Sequence, residues 1–154
     1  MSRILSAIIA LLLVGALAAC RGNDEFSRFV EIDRAAWGYG DTVTVVVSHL
    51  DSLPSKKLSV GVVHNDDFPY QNLWVEVSYT DSIGKLYRDS VNLQLADEFG
   101  RWQGKSLAGS HQYEATLSHA FPLADSTRVN LRHIMRVDTV RGIERVGLTV
   151  SRLP

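Results

Sequence analysis

Apolar and polar residues alternate with a period of two along most of the chain. Val43, Val45 and Val47, for example, alternate with Thr42 and Thr44. Such alternation is typical of antiparallel strands that bury one face and leave the other in water. It recurs in seven segments, at residues 42–49, 58–65, 73–80, 91–95, 113–119, 129–137 and 145–150.

Polar or glycine-rich stretches separate these segments and read as turns. They lie at residues 51–55, 65–69 and 81–84 and around 100–109. Many short strands divided by turns in this way suggest a β-sandwich or a barrel. We predict an all-β fold, an antiparallel β-sandwich of seven or eight strands. An early strand near Phe29–Asp33 would be the eighth.

The N-terminus has a different pattern. A single cation, Arg3, precedes an apolar run from Ile4 to Val14, which is the layout of a signal peptide. The run ends in Leu17-Ala18-Ala19-Cys20 and resembles the lipobox read by bacterial lipoprotein signal peptidase. We predict cleavage between Ala19 and Cys20. The alternatives are an ordinary secretory signal with an incidental cysteine, or an uncleaved anchor.

Cys20 is the single cysteine of the chain, and a thioether to lipid would explain its lack of a partner. Several acyl chains on this sulfur would anchor the protein stably, since one chain anchors only marginally. The predicted organisation is a lipoprotein signal peptide at 1–19, the lipidated cysteine with a polar tether at 20–28, and the β-sandwich domain at 29–154.

The charge of the chain excludes some partners. After cleavage, 15 basic residues stand against 17 acidic ones, because Arg3 is removed. No basic stripe suggests nucleic acid, and no polybasic segment suggests electrostatic docking to a membrane. The membrane contact is therefore expected through lipid on Cys20.

Four histidines, His49, His64, His119 and His133, fall in the apolar register of their segments. Converging strand ends could make a metal site of them. The simpler interpretation is a half-buried imidazole at three strand ends and a buried, hydrogen-bonded His133. We predict no metal site and no cofactor.

Catalytic motifs are weak in this sequence. It has no GxSxG, no SxxK and no catalytic cysteine, and Asp97-Glu98 would point to opposite sides of an extended chain. Asp66-Asp67 lacks the alternating oxygen ligands of a calcium loop and reads as a turn. We predict that the protein is not an enzyme.

Aromatic residues are the best candidates for binding. Trp74 lies on the polar face of its segment, and Trp102 lies among glycines. An outward tryptophan can mark a protein interface or a platform for sugar stacking. The alternative is that a loop or a neighbouring sheet covers each ring. Trp37 and Tyr39, in Trp-Gly-Tyr-Gly, are further candidates.

Four motifs in order resemble a known family. They are Gln71-Asn72-Leu73-Trp74-Val75, the stretch from Asp97 to Gly104, His133-Ile134-Met135-Arg136, and the stretch from Gly142 to Leu148. Together they are similar to the gliding-motility lipoprotein H (GldH) family of the Bacteroidota. The resemblance covers nearly the whole mature chain. It implies a lipoprotein of the cell envelope that gliding species require for surface movement, in a set of lipoproteins linked to a secretion-dependent phenotype.

The resemblance implies no enzymatic activity. It does imply partners among the envelope proteins of a gliding or secretion assembly. We therefore expect a lipid-anchored interaction module of the outer membrane. Arg21 stands where an aspartate is associated with inner-membrane retention in some bacteria. The alternative function is a glycan-binding envelope lipoprotein that uses Trp74 or Trp102.

Overall fold

The computed structural model describes residues 24–50, 56–118 and 123–152. These residues form antiparallel sheets with one short 3-10 helix at Asp33–Ala35, which confirms the all-β prediction. The strands are β1 (Asp24–Glu31), β2 (Ala36–Gly38), β3 (Val43–Val46), β4 (Lys56–Asn65), β5 (Asn72–Thr80), β6 (Leu86–Gln94), β7 (Lys105–Leu107), β8 (Ser110–Thr116), β9 (Arg128–His133), β10 (Thr139–Arg141) and β11 (Ile143–Arg152).

Two sheets make the sandwich. The five-stranded sheet has the order β1-β11-β4-β8-β7, and the four-stranded sheet has the order β3-β9-β5-β6. A small ribbon pairs β2 with β10. The apolar residues of the alternating segments fill the space between the sheets; the largest fully buried ones include Leu58, Leu73, Leu93, Leu131 and Leu148, and Trp37 of β2 is buried with them.

Each predicted segment overlaps one strand, although the bounds differ. The segment at 129–137 gives β9, which ends at His133, and the early strand near Phe29 is the end of β1. β1 begins at Asp24, so it takes in residues that the sequence analysis placed in the tether. β7 lies within the stretch around 100–109 that we read as a turn.

The strands run between two ends of the sandwich. β1 begins at what we call the N-terminal end, where Asp24 pairs with Ser151 and Arg152 pairs with Lys56. The short connection at 66–71 joins β4 to β5 at the opposite end, which we call the far end. The Asp81–Lys85 turn between β5 and β6 therefore returns to the N-terminal end.

Two glycines shape the outer face of the five-stranded sheet. Gly147 pairs with Phe29 on one side and with Gly61 on the other. The Phe29 ring lies over both glycines, since a Cβ on Gly61 would fall 2.5 Å from Phe29 Cζ. An aromatic ring laid on glycines restores the contact that a strand loses at residues without side chains.

Candidate functional site

Trp74 is exposed on the outer face of the four-stranded sheet. Its neighbours Leu73 and Val75 point into the core, as the alternation predicts, and Trp74 itself is 41% exposed. It lies directly across from Asn92 on β6. The structure thus favours the uncovered alternative for this ring.

An aromatic and charged row continues from Trp74 along the same face. The Glu76 carboxylate accepts a hydrogen bond from Arg132 Nη2 at 3.3 Å and lies 3.8 Å from Arg88 Nε. The Arg132 guanidinium stands 5.6 Å from the centre of the Tyr39 ring, which is 47% exposed. We call Tyr39, Trp74, Glu76, Arg88 and Arg132 the Trp74 face.

The surroundings of this face are partly apolar and partly polar. Next to Trp74, the Ile134 N–H donates to the Trp74 carbonyl at 3.0 Å, and Met135 Sδ lies 3.5 Å from the backbone nitrogen of Trp74. Beyond Glu76 is a cleft of about 210 Å³ with only polar side chains, lined by Thr42, Glu76, Ser78, Arg88, Asn130 and Arg132. Trp74 therefore stands between apolar neighbours and a polar groove.

Trp102 lies elsewhere, at the far end of the sandwich. Its ring packs edge-on against His64, with centroids 4.6 Å apart, and also contacts Phe68 and His111. Its indole N–H donates to Asp66 Oδ1 at 3.0 Å. We call His64, Asp66, Phe68, Trp102 and His111 the Trp102 cluster. Trp102 is partly covered, and the residues its ring contacts are not part of the Trp74 face.

Two hydrogen bonds that join Ser106 to His111 and Asp66 of this cluster have the connectivity of a catalytic triad. His111 Nε2 donates to Asp66 Oδ1 at 2.8 Å, and Ser106 Oγ donates to His111 Nδ1 at 2.7 Å. The bonds from His111 and Trp102 hold the pKa of Asp66 below its usual range. Triad enzymes bury the carboxylate that orients the histidine, whereas the Asp66 side chain is 71% exposed. These hydrogen bonds are better explained as a structural link between β7, β8 and the connection from β4 to β5.

Two histidines of the core are buried and held neutral. Burial lowers the pKa of His64 and of His133 below 6.5, and neighbouring backbone carbonyls offset part of the effect. His64 Nδ1 donates to the Asn65 carbonyl at 3.1 Å. His133 contacts the rings of Trp37 and Tyr39 edge-on.

These positions correct the sequence interpretation of the histidines. His133 is buried as predicted, but neither of its ring nitrogens has a well-formed hydrogen bond among the described residues. His64 is fully buried, not half-buried. His49 is exposed and follows the end of β3, and His119 lies outside the described residues.

We expect the stability of the domain to fall below about pH 6.5. Both histidines have a lower pKa in the folded protein than in the unfolded chain, so the unfolded chain takes up protons first as the pH falls. Their contribution to stability is therefore complete above the unfolded pKa and is lost as the pH drops below it. His133→Leu should reduce this loss, because it removes one of the two groups. Urea denaturation between pH 5 and pH 8 measures it, with His49→Leu as the exposed control. An unchanged pH profile in His133→Leu would contradict the assignment.

Metal ligands do not cluster in the described part of the chain. Among the described residues, no three histidine, cysteine, aspartate or glutamate side chains converge as metal ligands would. Asp67 donates its backbone N–H to the Asn65 side chain at 3.0 Å, which is the geometry of a turn.

Ala19 and Cys20, the predicted cleavage and lipid sites, lie outside the described residues.

The fold and the surface define a class: a small antiparallel β-sandwich that displays an aromatic and arginine surface. The profile of the GldH lipoprotein family matches residues 24–150, so the chain belongs to this family. It is also similar to the gliding motility lipoprotein GldH of Flavobacterium johnsoniae. The two are 22% identical over 157 residues, covering 97% of this chain and 98% of the relative.

No solved structure matches this fold significantly. Among the described residues, no helix has the length and apolar character needed to cross a bilayer. The family match confirms the membership that four sequence motifs indicated. By its family name, the protein is a lipoprotein of gliding motility.

Proposed function

We propose that this protein is a lipid-anchored interaction module of the outer membrane, serving a gliding assembly that is linked to secretion. Lipid on Cys20 would hold the protein at the membrane, and the sandwich would bind an envelope protein. Family membership and the Leu-Ala-Ala-Cys sequence support the anchor. The Trp74 face supports the binding role.

The composition of the Trp74 face is the observation that carries the proposal. Tryptophan, tyrosine and arginine are the residues most enriched where protein interfaces gain their affinity. Here Trp74 and Arg132 lie on neighbouring strands of one sheet, and Tyr39, in the turn after β2, lies against Arg132. The apolar neighbours Ile134 and Met135 adjoin a polar rim, an arrangement suited to a protein partner.

One observation favours the alternative, a glycan ligand. The cleft beyond Glu76 offers hydroxyl, amide, carboxylate and guanidinium groups within about 210 Å³. A sugar could stack on the Trp74 ring while its hydroxyls bind these groups. The charged groups of the row are already paired with one another, however, since Arg132 binds Glu76 and lies against the Tyr39 ring, so we favour a protein partner.

We further propose that the protein acts by binding and not by catalysis. The Ser106–His111–Asp66 chain is the strongest arrangement for nucleophilic chemistry among the described residues. Its carboxylate is largely in water, where a charge stabilises a developing imidazolium much less than it would in a dry site. The exposure of Asp66 therefore favours a structural role.

Trp74→Ala tests the binding role. We expect the free energy of unfolding to change by no more than about 0.5 kcal/mol, because the ring is outside the core. Affinity for the envelope partner should fall by about 2 kcal/mol, roughly thirtyfold, if the ring is a central contact. Thermal melting of the soluble domain and recovery of crosslinked envelope partners measure the two effects.

Phe99→Ala is the matched control, since Phe99 is an exposed aromatic on the Asp97–Arg101 turn and is not part of the Trp74 face. It should leave both melting and partner recovery unchanged. Unchanged recovery with Trp74→Ala would remove this residue from the binding surface. A strong loss of stability would instead mean that the ring is packed.

A further inference from the structure

The connection between the proposed lipid and the sandwich is short. β1 begins at Asp24, so three residues separate it from Cys20. Four extended peptide steps span at most about 14 Å. If Cys20 carries lipid, as the proposed function holds, the N-terminal end of the sandwich must stay within about that distance of the bilayer.

The β5–β6 turn lies at this same end. The start of β1 is joined through β11 to the start of β4 by the pairs Asp24–Ser151 and Arg152–Lys56. β4 runs to the far end, and β5 returns from there to Thr80. The turn that follows is thus on the membrane side of the domain, and its tip is Ile83.

This turn holds two aliphatic side chains in water. Ile83 is 85% exposed and Leu86 is 57% exposed. The backbone around them is fixed, since Asp81 Oδ1 accepts the N–H groups of Ile83 at 3.0 Å and Lys85 at 2.8 Å. Ile83 therefore projects from a well-defined turn and not from a loose loop.

The protein surface beside the tip of the turn is polar. A cleft of about 450 Å³ lies next to the turn, and its lining includes Thr80, Asp81, Ser82, Asp125, Ser126 and Arg128. Hydroxyl and charged groups at this level would face lipid headgroups, while an aliphatic tip would reach the acyl boundary. That division of polar and apolar groups is the one that interfacial membrane contacts use.

We propose that the 81–86 turn makes a second, non-covalent contact with the bilayer that holds the lipid of Cys20, through Ile83 and Leu86. One isoleucine binds a bilayer too weakly to recruit a free protein. Once the lipid has inserted, the contact becomes intramolecular, and its high effective concentration allows a weak interaction to be populated. The lipid anchors the domain, and the turn orients it.

The contact fixes which surfaces face outward. The ten residues of β4 span about 30 Å from one end of the sandwich to the other. With the turn on the bilayer, the Trp102 cluster and the Phe99 turn stand at the far end, and the Trp74 face lies on the flank.

The single cysteine makes a direct experiment possible. Ile83→Cys and Leu107→Cys are expressed as full lipidated chains and labelled with a nitrobenzoxadiazole thiol probe. They are then placed in phosphatidylethanolamine and phosphatidylglycerol vesicles that contain doxyl-labelled lipid. Leu107 is the matched control, because it is 81% exposed and lies on the β7–β8 hairpin of the far end. We expect quenching at position 83 to exceed that at 107 by about threefold or more.

The outcomes separate this proposal from the anchor itself. Wild-type protein should take up no probe, since a lipidated sulfur has no thiol; uptake would contradict lipid attachment and overturn both ideas. With no uptake by wild type, equal quenching at the two positions, or stronger quenching at 107, would overturn the turn contact alone.

Discussion

Gly147→Ala should destabilise the domain by about 3 kcal/mol or more, or prevent folding. This is the upper range of the loss that overpacking causes, and it is expected where the neighbouring atoms cannot move. A Cβ on Gly147 would overlap the carbonyl oxygen of Arg28 and fall 2.7 Å from the Phe29 Cα. These atoms are backbone of the paired strand β1, so relief requires β1 to separate from β11. Urea denaturation of the soluble domain measures the loss.

Gly61→Ala is the matched control on the neighbouring strand. There the added Cβ meets the Phe29 ring at 2.5 Å and Glu114 Cγ at 2.9 Å, and both side chains can move. We expect a smaller loss for Gly61→Ala, and Phe29→Ala should relieve part of it. The same Phe29→Ala background should not rescue Gly147→Ala. Rescue of Gly147→Ala, or a loss below about 0.5 kcal/mol, would contradict the close approach of backbone.

Cys20→Ala should block lipidation and leave an unprocessed precursor. Each buried CH₂ of an acyl chain contributes about 0.8 kcal/mol, so the sulfur-linked lipid is expected to dominate membrane affinity. Labelled fatty acid should mark the parent protein and leave the variant unmarked. Trp74→Ala is the control, because an altered binding surface should not affect lipidation. Equal labelling of Cys20→Ala and the parent would exclude the lipobox interpretation.

The main strands could be predicted because each buries one face. In β5, Leu73, Val75 and Val77 all point into the core, and a register shift of one residue would turn every one of them to the outer face. β2, β7 and β10 could not be predicted in this way, since three residues are too few to show a period. All of β7 is exposed, so it has no apolar face at all.

The candidate site was only partly accessible from sequence. The place of Trp74 on a polar face follows directly from the alternation in β5. Its association with Arg132 depends on the pairing of β9 with β5, and that with Tyr39 on the β2–β10 ribbon, neither of which local pattern specifies. Long-range strand order therefore decided which side chains joined the surface.

Part of the Trp102 cluster did have a local signal. Ala108 and Gly109 both have positive φ, at 50° and 82°, and close a two-residue hairpin that sets Ser106 across from His111. The Ala-Gly pair and its flanking residues could have suggested this contact. The partner Asp66 could not be found in that way, because it comes from the β4–β5 connection 45 residues earlier along the chain.

The pairing of the first strand with the last has a mechanical consequence. A pull on the proposed lipid would enter the domain at Asp24 and act along β1, whose hydrogen bonds to β11 run across the strands. Load in that direction shears the ladder and is shared among its bonds, whereas a pull across the strands would open them one at a time. Arg28 and Phe29, locked over Gly147, lie within the loaded segment. The domain is thus attached in the direction in which its terminal strand best resists force.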